Sequence, residues 1–449
     1  MKPAAIISVL HQRTFSVLES YVRDNPQTTV FAWQGPEDPE LVRRIAAAGG
    51  EMVPLHVPLP LFQRARLKAE SRWRLSRLEG VLRGPAWSRF CSERGWPGER
   101  LRALIGRRAR ADLPVIAAVV AALERIAASH TVRLVVVSED FSPWARAAVL
   151  WARERGIPSL HLSHSLTVCE PYTVHRRIVS DVLAVFGERG AEGYLDADAD
   201  AFVGQIRLTG NPAWDDYPQM VSRREAIRCG LAIRHELPPS RPWVVFATTV
   251  VETQTAFCDD GVFEETLRAF LEACRTLADE GRGVEIIVKD RPPNRTFGSA
   301  RLGELVTELG MAKEHIHYVV DEMKEWVVAA DAVVSVASNV SVEALLAATP
   351  AVNLVTEVDV ALTPSFDAES GIVEAEGHEL AAALGRILSD PDHRVRLRDQ
   401  MRRAASRYNL GLDGTATTRV VRLMEELASP VAAEGSHGRS AASREGERV

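Results

Sequence analysis

The feature of this sequence that most restricts its fold is an alternation of short apolar runs with longer stretches of helical spacing. Apolar runs of strand length stand at 5–10, 28–32 and 52–55, and amphipathic stretches at 15–22 and 40–48 separate them. This alternation is typical of βαβ units, in which a helix connects two parallel strands. The sequence therefore predicts an α/β fold built on parallel sheets.

The same alternation continues far enough along the chain to predict two such sheets. Further strands are predicted at 133–137, 158–162, 182–186 and 206–208 and, after a proline-rich segment at 238–242, at 243–247, 284–288, 316–320, 332–336 and 351–354. A chain of 449 residues also exceeds one ordinary domain. We therefore expect two Rossmann-like parallel-sheet domains that face a cleft, at 1–218 and 219–410. Two helices near 379–407 and 415–427 are expected to complete the fold, the second within a closing segment at 411–430, before a disordered tail at 431–449.

Residues 61–111 interrupt the alternation with a basic composition. They hold 13 Arg and one Lys against four Glu, with Trp73, Trp87 and Trp96 between them. We expect a helical insertion in the first domain, followed by a helix at 113–128 that leads back into the sheet. Arginine interleaved with tryptophan suits a helix lying on an anionic membrane surface or binding a charged glycan. The alternative is a solvated helical hairpin whose tryptophans pack inward.

Composition narrows the partners and the compartment. The formal net charge of −6 gives no electrostatic reason to expect a nucleic-acid partner. Five scattered cysteines without CxxC spacing favour reduced thiols over a disulfide framework or a zinc site. The first residues do not have the pattern of a signal peptide, and no apolar stretch reaches 18 residues. We expect a cytoplasmic protein, with peripheral contact at the inner face of the membrane as a further possibility.

Polar residues that follow the predicted strands form the candidate site, because ligands bind outside the carboxyl ends of the strands in open parallel sheets. In the first domain these residues are His11, Glu139, Asp140, His164, Glu188 and Asn211. In the second domain they are Thr248, Thr249, Lys289, Arg291, Ser338, Asn339, Val340 and Ser341.

The segment 338–343 combines a small polar turn with the start of a helix. Backbone N–H groups at a helix start attract anions, and serine side chains leave room for a phosphate. Glu343, one turn further on, is placed to accept hydrogen bonds from a ribose. The alternative is an ordinary N-cap with an acidic residue nearby, since Ser and Asn cap many helices.

Several segments resemble the GT-B glycosyltransferase superfamily. Residues 330–338 (ADAVVSVAS) followed by 343–352 (EALLAATPAV) resemble its donor-site strand, turn and helix. Residues 156–164 (GIPSLHLSH), 208–215 (LTGNPAWD) and 409–416 (NLGLDGTA) are similar to segments of bacterial surface-polysaccharide enzymes and UDP-sugar 2-epimerases. The chain departs from that pattern at Ser165 and Ala348, where glycine is usual, and at Arg291, where histidine is usual.

The resemblance implies a function for the two domains. The second would hold a nucleotide-sugar donor, and the first a glycan or lipid-linked acceptor of cell-surface polysaccharide or glycoconjugate assembly. Glycosyl transfer is the expected activity. A UDP-sugar 2-epimerase of the same fold and a non-catalytic nucleotide-sugar binding protein remain alternatives.

Sugar transfer needs a base for the acceptor hydroxyl and positive charge for the leaving diphosphate. The candidate bases are Asp140, His164, Glu139 and His11, while Lys289 and Arg291 are candidate phosphate contacts. Asp140 and His164 also have structural interpretations, as a helix cap and as a polar loop residue. The DxD spelling at 196–200 is interpreted as a solvated acidic stretch, so neither a metal nor a cofactor is expected.

Overall fold

The structure is a computed structural model, and it describes residues 2–55, 60–164, 166, 178–195, 204–248, 261–290, 298–336, 338–355 and 366–429. The first sheet contains β1 (Ala4–Val9), β2 (Thr29–Ala32), β3 (Glu51–Pro54), β4 (Thr131–Val137), β5 (Ser159–Leu162), β6 (Val182–Val185) and β7 (Gln205–Leu208). The second contains β8 (Trp243–Ala247), β9 (Glu285–Lys289), β10 (Ile316–Val319), β11 (Ala332–Ser335), β12 (Ala351–Leu354) and β13 (Val373–Ala375).

Helices connect these strands and cover both faces of each sheet. They are α1 (Phe15–Asp24), α2 (Pro39–Ala47), α3 (Leu61–Leu82), α4 (Pro85–Ser92), α5 (Gly98–Ser129), α6 (Pro143–Glu154), α7 (Glu188–Leu195), α8 (Tyr217–Ser222), α9 (Arg224–Arg234), α10 (Gly261–Asp279), α11 (Ser299–Glu308), α12 (Met323–Ala329), α13 (Asn339–Ala347), α14 (Leu380–Ser389), α15 (Pro391–Tyr408) and α16 (Ala416–Ala428). Covering both faces explains why the central strands are apolar throughout rather than alternating.

Both sheets are parallel, and each reverses its direction of growth once. The first is ordered β3-β2-β1-β4-β5-β6-β7, and the second β10-β9-β8-β11-β12-β13. In each sheet the chain adds strands on one side of its first strand and then returns to the other side. A crevice forms at such a reversal, outside the carboxyl ends of the strands. This is the doubly wound, GT-B-type arrangement of two Rossmann-like sheets that the sequence predicts.

The carboxyl-terminal helix returns to the first sheet. Val420 and Met424 of α16 are fully buried in one core cluster with Leu18 and Val22 of α1. Packing of this apolar stripe fixes the end of the described chain to the layer that covers β1.

The boundaries of two predicted helices were wrong. The predicted helix at 113–128 is the second half of α5, which continues through Pro114. One half of α5 packs on α3, while Leu123 and Ile126 pack on the first sheet. These two packed surfaces stabilise the helix by more than Pro114 destabilises it through the loss of one backbone hydrogen bond. The predicted single helix at 379–407 is divided into α14 and α15. Pro391 cannot donate to the preceding turn, and Asp390 caps α15 by accepting from the backbone N–H of His393.

The insertion is a helical arm made of α3, α4 and the first part of α5. Trp73 and Trp96 are 57% and 50% exposed, so the alternative of inward-packed tryptophans is wrong for these two residues. None of the helices in the described ranges combines the length and the apolar character that crossing a bilayer requires.

Candidate functional site

Three side chains meet at the reversal point of the first sheet. His11 follows β1, Glu139 follows β4 and His164 follows β5. Nε2 of His11 lies 3.9 Å from a carboxylate oxygen of Glu139, and the two imidazole rings are 4.8 Å apart between centroids. The strand-end rule therefore brings these three predicted residues together.

Ser138 orients two members of this cluster. Its hydroxyl accepts the backbone N–H of His11 at 2.9 Å, and its carbonyl oxygen lies 3.1 Å from Nδ1 of His164. Because a carbonyl only accepts, this contact assigns the Nδ1–H tautomer to His164 and leaves Nε2 as an acceptor. Burial, together with the electrostatic effect of His11, lowers the pKa of His164 to about 4. His164 is therefore neutral at pH 7.

Glu139 is the charged member of the cluster. Burial raises the pKa of its carboxyl, but contacts with His11 and His164 lower it by more, so the pKa lies below its ordinary value. Among the described residues, this trio also brings possible metal ligands together, with ligand atoms within 4.8 Å of one another. Neighbouring ligand atoms around a tetrahedral zinc ion stand roughly 3.3 Å apart, so the side chains would have to close on an ion. As placed, they form a cluster suited to exchanging protons.

Asp140 points away from this cluster and into the core. It is fully buried, and its Oδ2 accepts from the backbone N–H groups of Val179 and Ser180 at 2.6 and 2.9 Å. Its Oδ1 lies 3.8 Å from Nδ1 of His161. Burial opposes ionisation of Asp140, but His161 and these N–H groups outweigh it and lower its pKa. This geometry gives Asp140 a structural role and does not support the predicted role as the base.

The start of α13 carries the other half of the site. Ser338 is its N-cap, with its hydroxyl 3.3 Å from the N–H of Val340, as the cap interpretation expects. The Asn339 amide donates to the His164 carbonyl at 3.1 Å and accepts from the Leu166 N–H at 3.0 Å. Asn339 thus joins the carboxyl edges of the two sheets, and the first turn of α13 faces the histidine cluster.

Further into α13, two predicted contact residues are held by protein partners. Ser341 is fully buried and bonds Ser335 between hydroxyls at 2.8 Å. Glu343 is also buried, and its Oε2 accepts the hydroxyl hydrogen of Tyr217 at 2.7 Å. Oε1 of Glu343 lies 3.9 Å from the guanidinium of Arg13. Burial and the neighbouring Glu343 carboxylate raise the pKa of Tyr217 well above its ordinary value.

The remaining candidates of the second domain surround Asp290. Thr248 donates its hydroxyl to Asp290 at 2.6 Å. The Lys289 ammonium is buried and donates to the Asp290 carbonyl oxygen, and burial lowers its pKa. Thr249 and Arg291, like Ser165 and the acidic stretch 196–200, lie outside the described residues.

Asn211 has a structural position at the end of β7. It is buried, caps the short turn Pro212–Trp214 by accepting from the N–H of Ala213 at 3.0 Å, and donates its own backbone N–H to Asn409 at 2.7 Å. These contacts join the end of the first sheet to the segment between α15 and α16. Glu188 begins α7 and is exposed.

Sequence reasoning missed Arg13 and Ser138. Ser138 is the residue directly after β4, so the strand-end rule could have included it with its two acidic neighbours. Arg13 lies in the turn after β1, two residues beyond His11, and only the folded chain brings it to Glu343. Its guanidinium adds a cation beside the start of α13.

Comparisons with known proteins give the fold. No protein-family model and no curated protein matches this sequence. A putative UDP-N-acetylglucosamine 2-epimerase from Listeria monocytogenes is similar in structure, with a TM-score of 0.56 and 14% identity over 95% of this chain and 96% of that chain. A Neisseria meningitidis UDP-GlcNAc 2-epimerase bound to UDP-GlcNAc gives 0.54 and 12% over 94% and 100%. A glycosyltransferase from Rickettsia africae gives 0.55 and 10% over 95% and 98%.

Proposed function

We propose that this protein is a nucleotide-sugar-dependent glycosyltransferase whose donor diphosphate binds at the first turn of α13. The observation that carries the proposal is the meeting of that helix start with the cluster of His11, Glu139 and His164. A helix N-terminus favours an anion, and the cluster supplies groups that exchange protons. The two halves of a transfer reaction thereby lie on opposite sides of one crevice.

The donor half is proposed from α13 and its neighbours. The partial positive charge of the helix start and the Arg13 guanidinium would both stabilise a diphosphate. Oε2 of Glu343 is occupied by Tyr217, so Oε1 is the oxygen we assign to a ribose hydroxyl. The structurally similar Neisseria enzyme, whose structure holds UDP-GlcNAc, supports UDP as the nucleotide.

The acceptor half is proposed from the histidine cluster. We assign His11 as the base, because the Glu139 carboxylate stabilises the imidazolium that forms when His11 takes a proton. His164, with its pKa of about 4, is a poor proton acceptor at pH 7, and we assign it as a hydrogen-bonding neighbour. The acceptor oxygen attacks the anomeric carbon as its proton moves to His11. The bond from that carbon to the diphosphate oxygen breaks, and the nucleoside diphosphate leaves with the electron pair.

A second candidate function is epimerisation at C2 of the donor sugar. It is favoured by the two 2-epimerases whose structures are similar to this one over nearly the whole chain. Both activities use a nucleotide-sugar and proton transfer in the same crevice, so they differ by whether an acceptor is consumed.

Turnover with UDP-GlcNAc and UDP-glucose, with and without a bacterial lipid and glycan extract, tests the proposal. The transferase hypothesis expects UDP release that depends on the extract, with sugar label moved into it. A C2 epimer formed without extract, observed by NMR, would replace it with the epimerase. Binding without either product would establish a non-catalytic nucleotide-sugar binding protein.

A further inference from the structure

A basic cavity lies away from the crevice. It has a volume of about 360 Å³, and charged residues from α9, α15 and the segments that precede β8 and β11 line it. These residues are Arg224, Glu225, Arg228, Arg241, Asp331 and Arg398. A cavity of this size accommodates a small phosphorylated molecule.

The cavity is at the amino edge of the second sheet. Its lining includes Pro242 and Asp331, which directly precede β8 and β11. The candidate donor site lies past the carboxyl ends of the same two strands. Five residues of β8 at roughly 3.3 Å each separate the two places by about 16 Å. This cavity is therefore distinct from the donor site.

Two of its four arginines already have carboxylate partners. Arg228 lies 3.1 Å from Asp331, and Arg241 lies 3.2 Å from Glu285. Both guanidinium groups have further contacts: Arg228 donates to the Ala329 carbonyl at 2.6 Å, and Arg241 lies 2.7 Å from Nδ1 of His315. The charges of Arg228 and Arg241 are therefore balanced by carboxylates, and their side chains are held in place at one side of the cavity.

The other two arginines have no carboxylate within 4.0 Å among the described residues. Arg224 donates only to neutral groups, the carbonyl oxygen of Ala347 and the hydroxyl of Thr349. Nε of Arg398 is buried without a hydrogen-bond partner in the described part of the chain. Glu225, the remaining acidic group of the lining, is exposed. The four arginines outnumber the two carboxylates of the lining, Glu225 and Asp331, so the cavity keeps a net positive charge.

Burial and neighbouring positive charges lower the pKa of both arginines. Burial, and then the charges of Arg394 and Arg402, lower the pKa of Arg398. Burial and the charge of Arg398 lower the pKa of Arg224. Both guanidinium groups keep their charge at pH 7, because an arginine pKa starts above 12. An anion between them would relieve this repulsion and satisfy the unpaired donor.

We propose that this cavity binds a small phosphate-bearing anion through Arg224 and Arg398. Guanidinium groups bind phosphate in bidentate fashion, which suits two arginines from different helices. Arg224 also holds the carboxyl end of α13, whose amino end faces the crevice. A ligand at this site would therefore lie beside the end of α13 that points away from the crevice. The inference does not depend on the reaction proposed above.

Calorimetric titration and thermal unfolding of the full chain with inorganic phosphate, pyrophosphate and glucose 6-phosphate test this site, with sodium chloride matching the ionic strength. We expect at least one of these probes to raise the melting temperature of the wild type. Arg398→Gln should weaken its binding by roughly tenfold to a hundredfold, as expected for loss of a charged hydrogen bond. Without ligand, this variant should be at least as stable as the wild type, because it removes a repelled charge. Arg396→Gln, an exposed position on the same helix, is the matched control and should bind normally.

Two outcomes would overturn the proposal. One is that no probe binds the wild type, and the other is that Arg398→Gln binds as tightly as the wild type. Asn339→Ala alters the crevice and should leave unchanged the probe binding that Arg398→Gln weakens. If binding is instead lost in Asn339→Ala and kept in Arg398→Gln, the anion occupies the crevice and the proposed cavity is not the site.

Discussion

His11, Glu139 and His164 come from three segments of the sequence and form one cluster because their strands are neighbours in a parallel sheet. Each lies within two residues of the end of its strand, where the backbone direction delivers side chains to a common edge. At the scale of residues, the candidate functional side chains of this fold are therefore those that follow the strands.

Replacing His11 tests the assignment of the base. His11→Ala should lower turnover by roughly 10²–10⁴-fold, the usual contribution of a general base, while leaving UDP affinity nearly unchanged. Glu139→Gln should lower turnover as well, because it removes the charge that stabilises the imidazolium. UDP release in the presence of the acceptor extract is the measurement, and Gln12→Ala, an exposed neighbour, is the control. Full turnover in His11→Ala would move the base elsewhere.

The low pKa of His164 predicts a pH-dependent stability. In the unfolded chain the imidazole of His164 takes up a proton near pH 6.5, whereas in the folded protein it does so only near pH 4. The contribution of neutral His164 to the free energy of unfolding is therefore fully present above pH 6.5, and it is lost progressively as the pH falls towards 4. Between pH 7 and 5 the free energy of unfolding should fall by up to about 2 kcal/mol from this group.

Urea unfolding of the wild type and of His164→Asn at both pH values measures this term. The variant should lose less stability than the wild type on acidification. His378→Asn changes an exposed histidine, and it should behave as the wild type does. Equal losses in His164→Asn and the wild type would show that His164 is not held neutral by the fold.

The sequence identified the polar residues at strand ends but not their directions. Asp140 and Glu139 are adjacent, yet one is buried beneath the 179–180 segment while the other faces the cluster. The sequence did not indicate that the amide of Asn339 bridges to the backbone at His164 and Leu166. The orientation of each side chain depends on partners more than 25 residues away, which the spacing of residues along the chain does not reveal.

The helical arm is the element that most differs from the rest of the molecule. It carries an excess of ten positive charges in a chain of formal net charge −6. Phe62 and Trp73 are eleven residues apart on α3, which places them on one exposed face about three turns apart. Arg66 and Arg77 follow each aromatic residue by one turn, and Arg77 lies over the Trp73 ring at 5.0 Å.

This face is suited to the surface of an anionic bilayer, and we predict salt-sensitive binding there. The full chain should float with vesicles of phosphatidylcholine and phosphatidylglycerol at low salt, less at high salt, and not with phosphatidylcholine alone. Removing both arginines (R66Q/R77Q) should weaken binding by roughly fivefold for each charge. The double variant F62S/W73S should also weaken binding, because the rings supply apolar contact.

Matched controls use exposed residues outside the arm. Ile233→Ser and Val395→Ser remove exposed apolar side chains, as F62S/W73S does. R403Q/R422Q removes two exposed charges, as R66Q/R77Q does. None of these control variants should change flotation. Absence of flotation at low salt, or unchanged flotation of F62S/W73S, would contradict a membrane-binding face. A charged glycan would then be the remaining candidate for the arginines.

Element boundaries were predictable where local chemistry sets them and not where packing does. Strand β8 coincides with its predicted range because proline precedes it and an apolar run fills it. The length of α5 was missed, since Pro114 favours a break that packing against α3 and the first sheet overrides. The three-residue strand β13 gives no periodic signal of its own and forms by pairing with β12.

At the scale of the whole molecule, two parallel sheets meet at their carboxyl edges. The alternation of strands and helices predicted both sheets, because it is a local pattern repeated along the chain. The closeness of the two edges rests on contacts such as that between Asn339 and His164, 175 residues apart, which no local pattern encodes. The resemblance to GT-B enzymes supplied that expectation, and solved structures of the same fold agree with it.

The central claim is that a nucleotide-sugar binds between those edges, against the first turn of α13. Hydrogen–deuterium exchange of the full chain with and without UDP tests it most directly. We predict that UDP slows exchange at the start of α13, around 338–343, and at the strand ends around 11–13 and 138–139. The amino edge of the second sheet, around 224–228 and 398, should change less. UDP binding that leaves the start of α13 unprotected would contradict the account.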